Sequence, residues 1–288
     1  MAEIYWDSYI LKSLPEDSDT ILIKDSNGNS NKRITIEALW AWIENKIESE
    51  NLSPMLYSGS GAHNAIYRGK SLGSSVSSEQ YSAISSGTFE NLYIGDYWTI
   101  GGINWRIAAF DYYLNCGDTN TLTHHAVIVP DSVLYNYVMN DTDITTGGYK
   151  GSKMYAEGLS QAKSTIESAF SNHIFSHRIY ISNAMEEGRP SENVWVDSEV
   201  ELMNENMVYG SRQFSPVSNG VTVPANQTIE KTQLPLFALE PSRICNRNTY
   251  WLRDPVSTSA FAFVNYTGYV GFSQSSGSYG VRPVFAIS

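Results

Sequence analysis

Hydrophobic positions come in short bursts separated by turn chemistry, and the first two bursts read as a hairpin. Thr20-Ile21-Leu22-Ile23-Lys24 is a strand, Asp25-Ser26-Asn27-Gly28-Asn29 carries an Asn-Gly hairpin signal, and Lys32-Arg33-Ile34-Thr35-Ile36 returns as the partner. Just beyond Thr35, Leu39, Trp40, Ile43 and Ile47 recur on one helical face opposite a polar one, which predicts an amphipathic helix of a few turns. A hairpin and one helix cannot bury Trp40, Trp42 and Ile43 by themselves. Leu39, Trp40, Trp42, Ile43 and Ile47 are therefore expected to dock on another chain or on copies of this one. Leu52 to Ala65, with Ser53-Pro54, Ser58-Gly59-Ser60-Gly61 and His63-Asn64, has linker composition. The expected division is a module at 1–52, a linker at 53–66 and a larger domain at 67–288.

Within that domain Glu79-Gln80-Tyr81-Ser82-Ala83-Ile84 follows a Ser-rich run as a short capped helix. Leu92 to Ile100 and Ile103 to Phe110 are β-branched and aromatic runs joined by Gly101-Gly102, a second hairpin. Ala126-Val127-Ile128-Val129-Pro130 suits a buried strand, and Lys153 to Phe170 shows helical spacing. Val200 to Tyr209 is mixed. Strands return at Ala260-Phe261-Ala262-Phe263-Val264, Gly268-Tyr269-Val270-Gly271-Phe272 and Val281 to Ile287. Strands at both ends with helices between make an α+β domain whose two ends can pair in one sheet.

Composition narrows the partners. The chain has 288 residues and a net charge of -11, from 19 Lys+Arg against 30 Asp+Glu, which disfavours a nucleic-acid partner. No apolar run is long enough to span a bilayer, and the first residues lack a basic region followed by an apolar one, so neither membrane insertion nor a secretion signal is expected. Tyr (19), Phe (10) and Trp (7) accompany only 17% charged residues, so the surface must be polar largely through Ser, Thr, Asn and Tyr, the side chains that binding faces use. Cys116 and Cys245 stand too far apart for a metal or redox pair. They could bridge if the fold joined them, but two free buried thiols are the expectation for a chain made in a reducing cytosol.

Candidate chemistry is sparse. His173 and His177 have the i, i+4 spacing of a metal pair on a helix, without a third ligand nearby, so a structural role is expected and no metal or other cofactor. Cys116 with Asp118 and His124 lacks the glycine pattern of an oxyanion site. Glu186/Glu187 and Glu199/Glu201 read as solvated acidic surface rather than glycosidase acids. Asp141-Thr142-Asp143 before Gly147-Gly148 lacks the closing Glu of a calcium loop.

Trp251-Leu252-Arg253-Asp254 followed by Gly280-Val281-Arg282-Pro283-Val284-Phe285-Ala286 resembles the C-terminal signature of C-type-lectin-like domains in phage and prophage proteins, among them phage tropism determinants and variable proteins of diversity-generating retroelements. Ile94-Gly95-Asp96-Tyr97-Trp98 through Asn104-Trp105-Arg106-Ile107, with His124 to Pro130 and Glu201-Leu202-Met203-Asn204-Glu205, is similar to a phage structural family of Gram-positive gut bacteria. The hairpin and helix at 20–39 look like the short anchoring module of phage fibres and spikes. The chain departs from calcium-dependent lectins at Glu240-Pro241-Ser242 and Trp251 to Asp254. Its two cysteines are also spaced unlike those of the formylglycine-generating enzymes that share the fold.

The resemblance implies a C-type-lectin-like domain behind a small attachment module, in a non-enzymatic virion protein made in the host cytoplasm. Expected partners are other capsid or tail proteins, two further copies in a homotrimer, and a host cell-surface receptor, with a glycan among the candidates. The alternatives are a decoration protein without a specific receptor and an enzyme that degrades cell-wall glycans. Trp251, Phe261, Phe263, Val284 and Phe285 are expected in the core. Asn246, Asn248, Tyr250, Asn265, Tyr266, Tyr269, Ser275, Ser278 and Tyr279 are expected on an exposed receptor-binding patch, because Tyr, Ser and Asn give adaptable contact at low entropic cost.

Overall fold

A computed structural model describes residues 16, 18–24, 31–49, 59–216 and 232–288. The chain divides into two compact units, Met1–Leu56 and Tyr57–Ser288.

In the first unit β1 (Thr20–Lys24) pairs antiparallel with β2 (Asn31–Thr35), in register from Thr20 opposite Thr35 to Lys24 opposite Asn31. The Asn27-Gly28 turn lies outside the described residues. Helix α1 (Ile36–Ser49) follows at once, and Thr35 Oγ1 accepts the Ala38 N–H, satisfying one of the donors that a helix start leaves open. Leu39 and Ile43 are half-buried, whereas Trp40 and Trp42 remain 59% and 57% exposed, with Ile21, Leu22 and Ile23 also exposed. The side chain of Ile47 lies outside the described residues.

The second unit begins earlier than composition suggests. Residues 59–66 are structured: α2 (Ser60–His63) buries His63, whose Nδ1 lies 2.5 Å from Leu92 O, and the Asn64 carboxamide bonds both N–H and C=O of Phe110. Helix α3 (Ser78–Ser85) has a reciprocal capping box between Ser77 and Gln80, and the Gln80 carbonyl also accepts Trp98 Nε1–H.

Then come β3 (Tyr97–Ile100), β4 (Ile103–Phe110), β5 (Ala126–Pro130) and β6 (Tyr135–Val138). The apolar runs that predict β4 and β5 are strands at those bounds, and β3 and β4 pair through the Gly101-Gly102 turn. The helical reading of Lys153 to Phe170 covers two pieces, a π-turn at Met154–Gly158 and α4 (Ser160–Phe170). The break has a cause. The Tyr135 hydroxyl donates to Gly158 O and accepts from Ala162 N–H, inserting itself where an i→i−4 bond would otherwise close.

A hairpin with no sequence counterpart follows, β7 (His177–Glu186) with β8 (Arg189–Ser198), turning on Glu187 and Gly188, both at positive φ. The rest is β9 (Val200–Leu202), α5 (Glu205–Tyr209), α6 (Pro235–Leu239), β10 (Tyr250–Pro255), β11 (Ala260–Val264), β12 (Val270–Gln274), β13 (Ser278–Val281) and β14 (Pro283–Ile287).

Two five-stranded sheets organise the unit, β3-β4-β5-β14-β9 and β12-β11-β10-β13-β6. The last strand thus lies beside the early ones, as an α+β domain with pairing ends requires. The chain is mixed helix and sheet, mostly strand. Trp98, Trp105, Trp251, Phe261 and Phe285 are fully buried, and Phe263 is half-buried on the core's edge against Trp251 and Tyr279.

The sheets are also joined by charge. Glu201 on β9 is completely buried, correcting its reading as solvated surface; Glu186, Glu187 and Glu199 are exposed. Its Oε1 lies 3.3 Å from His177 Nε2 and from Arg253 Nη1, and accepts the Tyr113 hydroxyl. Burial raises the Glu201 pKa, but the charges and hydrogen bonds of His177 and the charge of Arg253 outweigh it, and the net shift is downward. Next to this cluster His125 is buried, accepts the Tyr113 N–H on Nε2 and sits 2.8 Å from Thr123 O through Nδ1. Desolvation pulls its pKa down to about 4.

Both shifts work in one direction. Between pH 6.5 and about 4 the unfolded chain binds a proton at position 125 that the folded chain refuses, so stability is complete above that window and falls as pH drops through it. A depressed Glu201 adds loss at still lower pH. Thermal melts from pH 7.5 to 4.5 are expected to lose up to roughly 3 kcal/mol, and a flat profile would contradict the buried neutral histidine.

Candidate functional site

The terminal segment mixes residues that hold the domain together with residues that face outward. Strand β11 runs through the second sheet, and the chain leaves it in the turn 265–269 before returning as the edge strand β12. Asn265 dictates that turn. Its side-chain oxygen accepts the backbone N–H groups of Thr267 and Tyr269, each at 2.9 Å, and the Thr267 hydroxyl at 2.8 Å. Its own N–H donates to Tyr269 O, and the Gly268 N–H donates to Asn265 O.

The turn is also tied from outside. The Tyr209 hydroxyl donates to Gly268 O at 2.9 Å, and the Cys245 thiol lies 3.2 Å from Tyr266 O. Gly268 has φ +91°, a conformation that favours glycine, and a Cβ there would stand a tight 3.2 Å from Cys245 Cβ. The scaffold leaves Tyr266 64% and Tyr269 73% exposed. Exposed tyrosines on a well-bonded turn are prepaid contacts, because little backbone order remains to be lost on binding.

The other expected patch residues divide. Asn248 and Ser278 are exposed. Asn246 and Asn265 are half-buried, with Asn246 Oδ1 accepting the Asn248 N–H. Tyr279 is half-buried, packed against Trp251 at 4.9 Å between ring centres and sharing a hydrogen bond with Ser273. Two expectations are corrected. Tyr250 is fully buried, since its hydroxyl donates to Ile244 O and accepts from Arg282 Nη1. Ser275 is fully buried too: its hydroxyl sits among the carbonyls of Thr142, Ile144 and Ser259, while its own carbonyl accepts from Met139 and Asn140. Both are polar residues used as internal ties, a use that composition does not distinguish from display.

Phe214 and Phe272 belong to the outward set and were not singled out. Both are exposed and meet edge to face at 5.3 Å. Alternation along β12 carries the signal, placing Phe272 on the outer face with Gln274.

The other candidate groups do not assemble. His173 ends a 3-10 turn and stacks on Tyr81, while His177 opens β7 and meets Glu201, so no single helix carries both. Asp118 is held by Arg178, and His124 by Asp111; Cys116 is buried, Cys245 is half-buried, and neither forms a disulfide. Asp141 pairs with Lys153, and Asp143 accepts the Ser276 N–H. Among the described residues no three or more His, Cys, Asp or Glu side chains converge as a metal would need, and no helix is long and apolar enough to cross a membrane.

Residues 100–288, from the end of β3 through β14, match the family described as a domain of unknown function (DUF6273). The chain belongs to this family. The matched stretch contains the Asn265 turn, Arg282 and the Glu201 cluster, so the DUF6273 domain includes both the internal ties and the exposed tyrosines. No curated protein and no solved structure matches the chain.

Proposed function

We propose that the chain is a non-enzymatic phage virion protein, a head or tail fibre, whose C-type-lectin-like DUF6273 domain binds the host cell surface. The observation that carries this reading is the turn 265–269, where two largely exposed tyrosines stand on a backbone tied by the Asn265 side chain, the Tyr209 hydroxyl and the Gly268 N–H. Such a turn has no packing use for its aromatic rings, and an exposed aromatic on a rigid frame is what an adhesive surface needs. The two-sheet α+β architecture and the Gly280 to Ala286 motif support the lectin-like assignment. In that assignment the Arg282 stretch is structural and the turns between strands are free to vary.

The first unit is proposed to attach the protein to the particle and to oligomerise as a trimer. Its support is the exposure of Trp40, Trp42, Ile21, Leu22 and Ile23 on a hairpin and helix too small to enclose them. Replacing Trp40 and Trp42 together by Glu is expected to yield a folded monomer in light scattering, and a variant that remains trimeric would place the interface elsewhere.

Truncating Tyr266 or Tyr269 to Ala is expected to weaken adsorption to host cells by roughly 1 to 3 kcal/mol while leaving the melting temperature nearly unchanged. Adsorption and melting are to be measured on the same purified variants. Tyr variants that adsorb like the parent would overturn the reading, as would release of sugar from cell walls by the intact protein.

A further inference from the structure

Away from the tyrosine turn, a groove of about 250 Å³ lies between the Gly101-Gly102 turn, the loop after β5 and helix α4. Ile103, Val133, Leu134 and Tyr135 line it as an apolar floor, half-buried and packed against the core. Asn104, Asp131, Gln161 and Thr165 make the polar side. The walls are rigid for stated reasons. Tyr135 is the residue whose hydroxyl is wedged into the start of α4, so floor and helix are bonded to each other. On α4 the residues Ala162, Ile166 and Phe170 point into the core, which leaves Gln161 and Thr165, four apart, along the groove.

The polar side has unused capacity. Asp131 accepts Arg106 Nε at 2.6 Å and Arg106 Nη2 at 2.5 Å, with Asn104 Nδ2 at 3.4 Å and Arg243 Nη1 at 3.8 Å, so the carboxylate is largely engaged and the free polar capacity lies with the Gln161 and Thr165 side of the groove. Burial raises the Asp131 pKa, but the Arg106 hydrogen bonds and charge, with Arg243 and Arg282, outweigh it and keep the group ionised. The Gln161 carboxamide has no intrachain partner among the described residues. No lysine or arginine lines the groove, and the Asp131 carboxylate is already paired with Arg106 and, at 3.8 Å, with Arg243, so the lining presents no free charge of either sign.

We propose that this groove binds a neutral saccharide. A sugar ring presents an apolar C–H face and an edge of hydroxyls, which match a floor of Ile103, Val133 and Tyr135 beside planar carboxamide and carboxylate groups. The Gln161 carboxamide can donate to one hydroxyl and accept from another, and Asn104, whose Oδ1 accepts the Thr99 hydroxyl and whose Nδ2 lies 3.4 Å from Asp131, keeps one N–H for a third. The site shares no residue with the Tyr266–Tyr269 turn, and the proposal stands without the virion reading.

Saturation-transfer NMR on the full chain tests it, with chitotriose, maltotriose and mannotriose as neutral probes and a hyaluronan tetrasaccharide as the charged one. Transfer to at least one neutral probe and none to hyaluronan is expected. Gln161→Ala should weaken the response by roughly tenfold, and Thr165→Trp, which fills the groove, should abolish it. Ser164→Trp, which adds the same bulk on the solvent face of α4, should leave it unchanged. Melting temperatures within about 2 °C of the parent certify that each variant is folded. The proposal is overturned if no neutral probe shows transfer, if hyaluronan responds equally, or if the response ignores both groove variants. A response lost in Tyr266→Ala but kept in Thr165→Trp would likewise overturn it and move saccharide binding to the turn.

Discussion

The second unit depends on how the chain passes from one sheet to the other at Arg282. Strand β13 belongs to one sheet and β14 to the other, with Arg282 alone between them. Its guanidinium is buried, a placement that costs several kcal/mol unless its donors are met. Two carbonyls and a phenol meet them: Nε donates to Pro130 O at 2.9 Å, and Nη1 to Arg243 O and the Tyr250 hydroxyl at 3.0 and 3.1 Å. Tyr250 and Phe237 lie against the cation with their rings. One side chain therefore fixes the end of β5, the segment before β10 and the crossover itself. Close approach does the rest, since a Cβ on Gly280 would stand 2.3 Å from Val133 Cγ1. Lysine could not replace this arginine, having a single nitrogen where a planar fork reaches several carbonyls.

Glu201 performs the complementary task from β9, drawing His177, Arg253 and Tyr113 to one carboxylate oxygen. With these two ties in place, polar residues in the terminal segment fall into two groups. Tyr250 and Ser275 spend their hydroxyls inward on carbonyls, while Tyr266 and Tyr269 spend theirs on nothing internal that the fold requires. That division, rather than the abundance of Tyr and Ser, separates scaffold from surface in the DUF6273 domain.

Much of this was legible in the residues. Apolar runs made β5 and β11 plain, a β-branched and aromatic run made β4 plain, and the capped helix behind the Ser-rich run is present, with Ser77 and Gln80 bonding each other at its start. Trp251, expected in the core, is fully buried, and so is Arg282. The hairpin β7–β8 escaped because its strands, His177 to Glu186 and Arg189 to Ser198, are half polar and depend on tertiary neighbours for burial. Glu201 escaped because an acidic residue beside Glu199 looks solvated, and only the fold brings His177 and Arg253 to it from 24 and 52 residues away. Residues 59–66 were mistaken for linker because Gly and Ser mark tight turns and flexible chain alike; His63 and Asn64, which anchor the segment to Leu92 and Phe110, were the informative letters.

The account rests most heavily on the tied turn being the surface that meets the target. Hydrogen exchange read on the full chain, free and bound to Gram-positive cell walls, tests this directly. The amides of Asn265, Thr267, Gly268 and Tyr269 are expected to be protected already in the free protein, and the peptide spanning 265–272 to gain further protection on binding while 278–287 does not change. Rapid exchange at those four amides in the free protein, or protection that appears on binding only outside 265–272, would contradict the account.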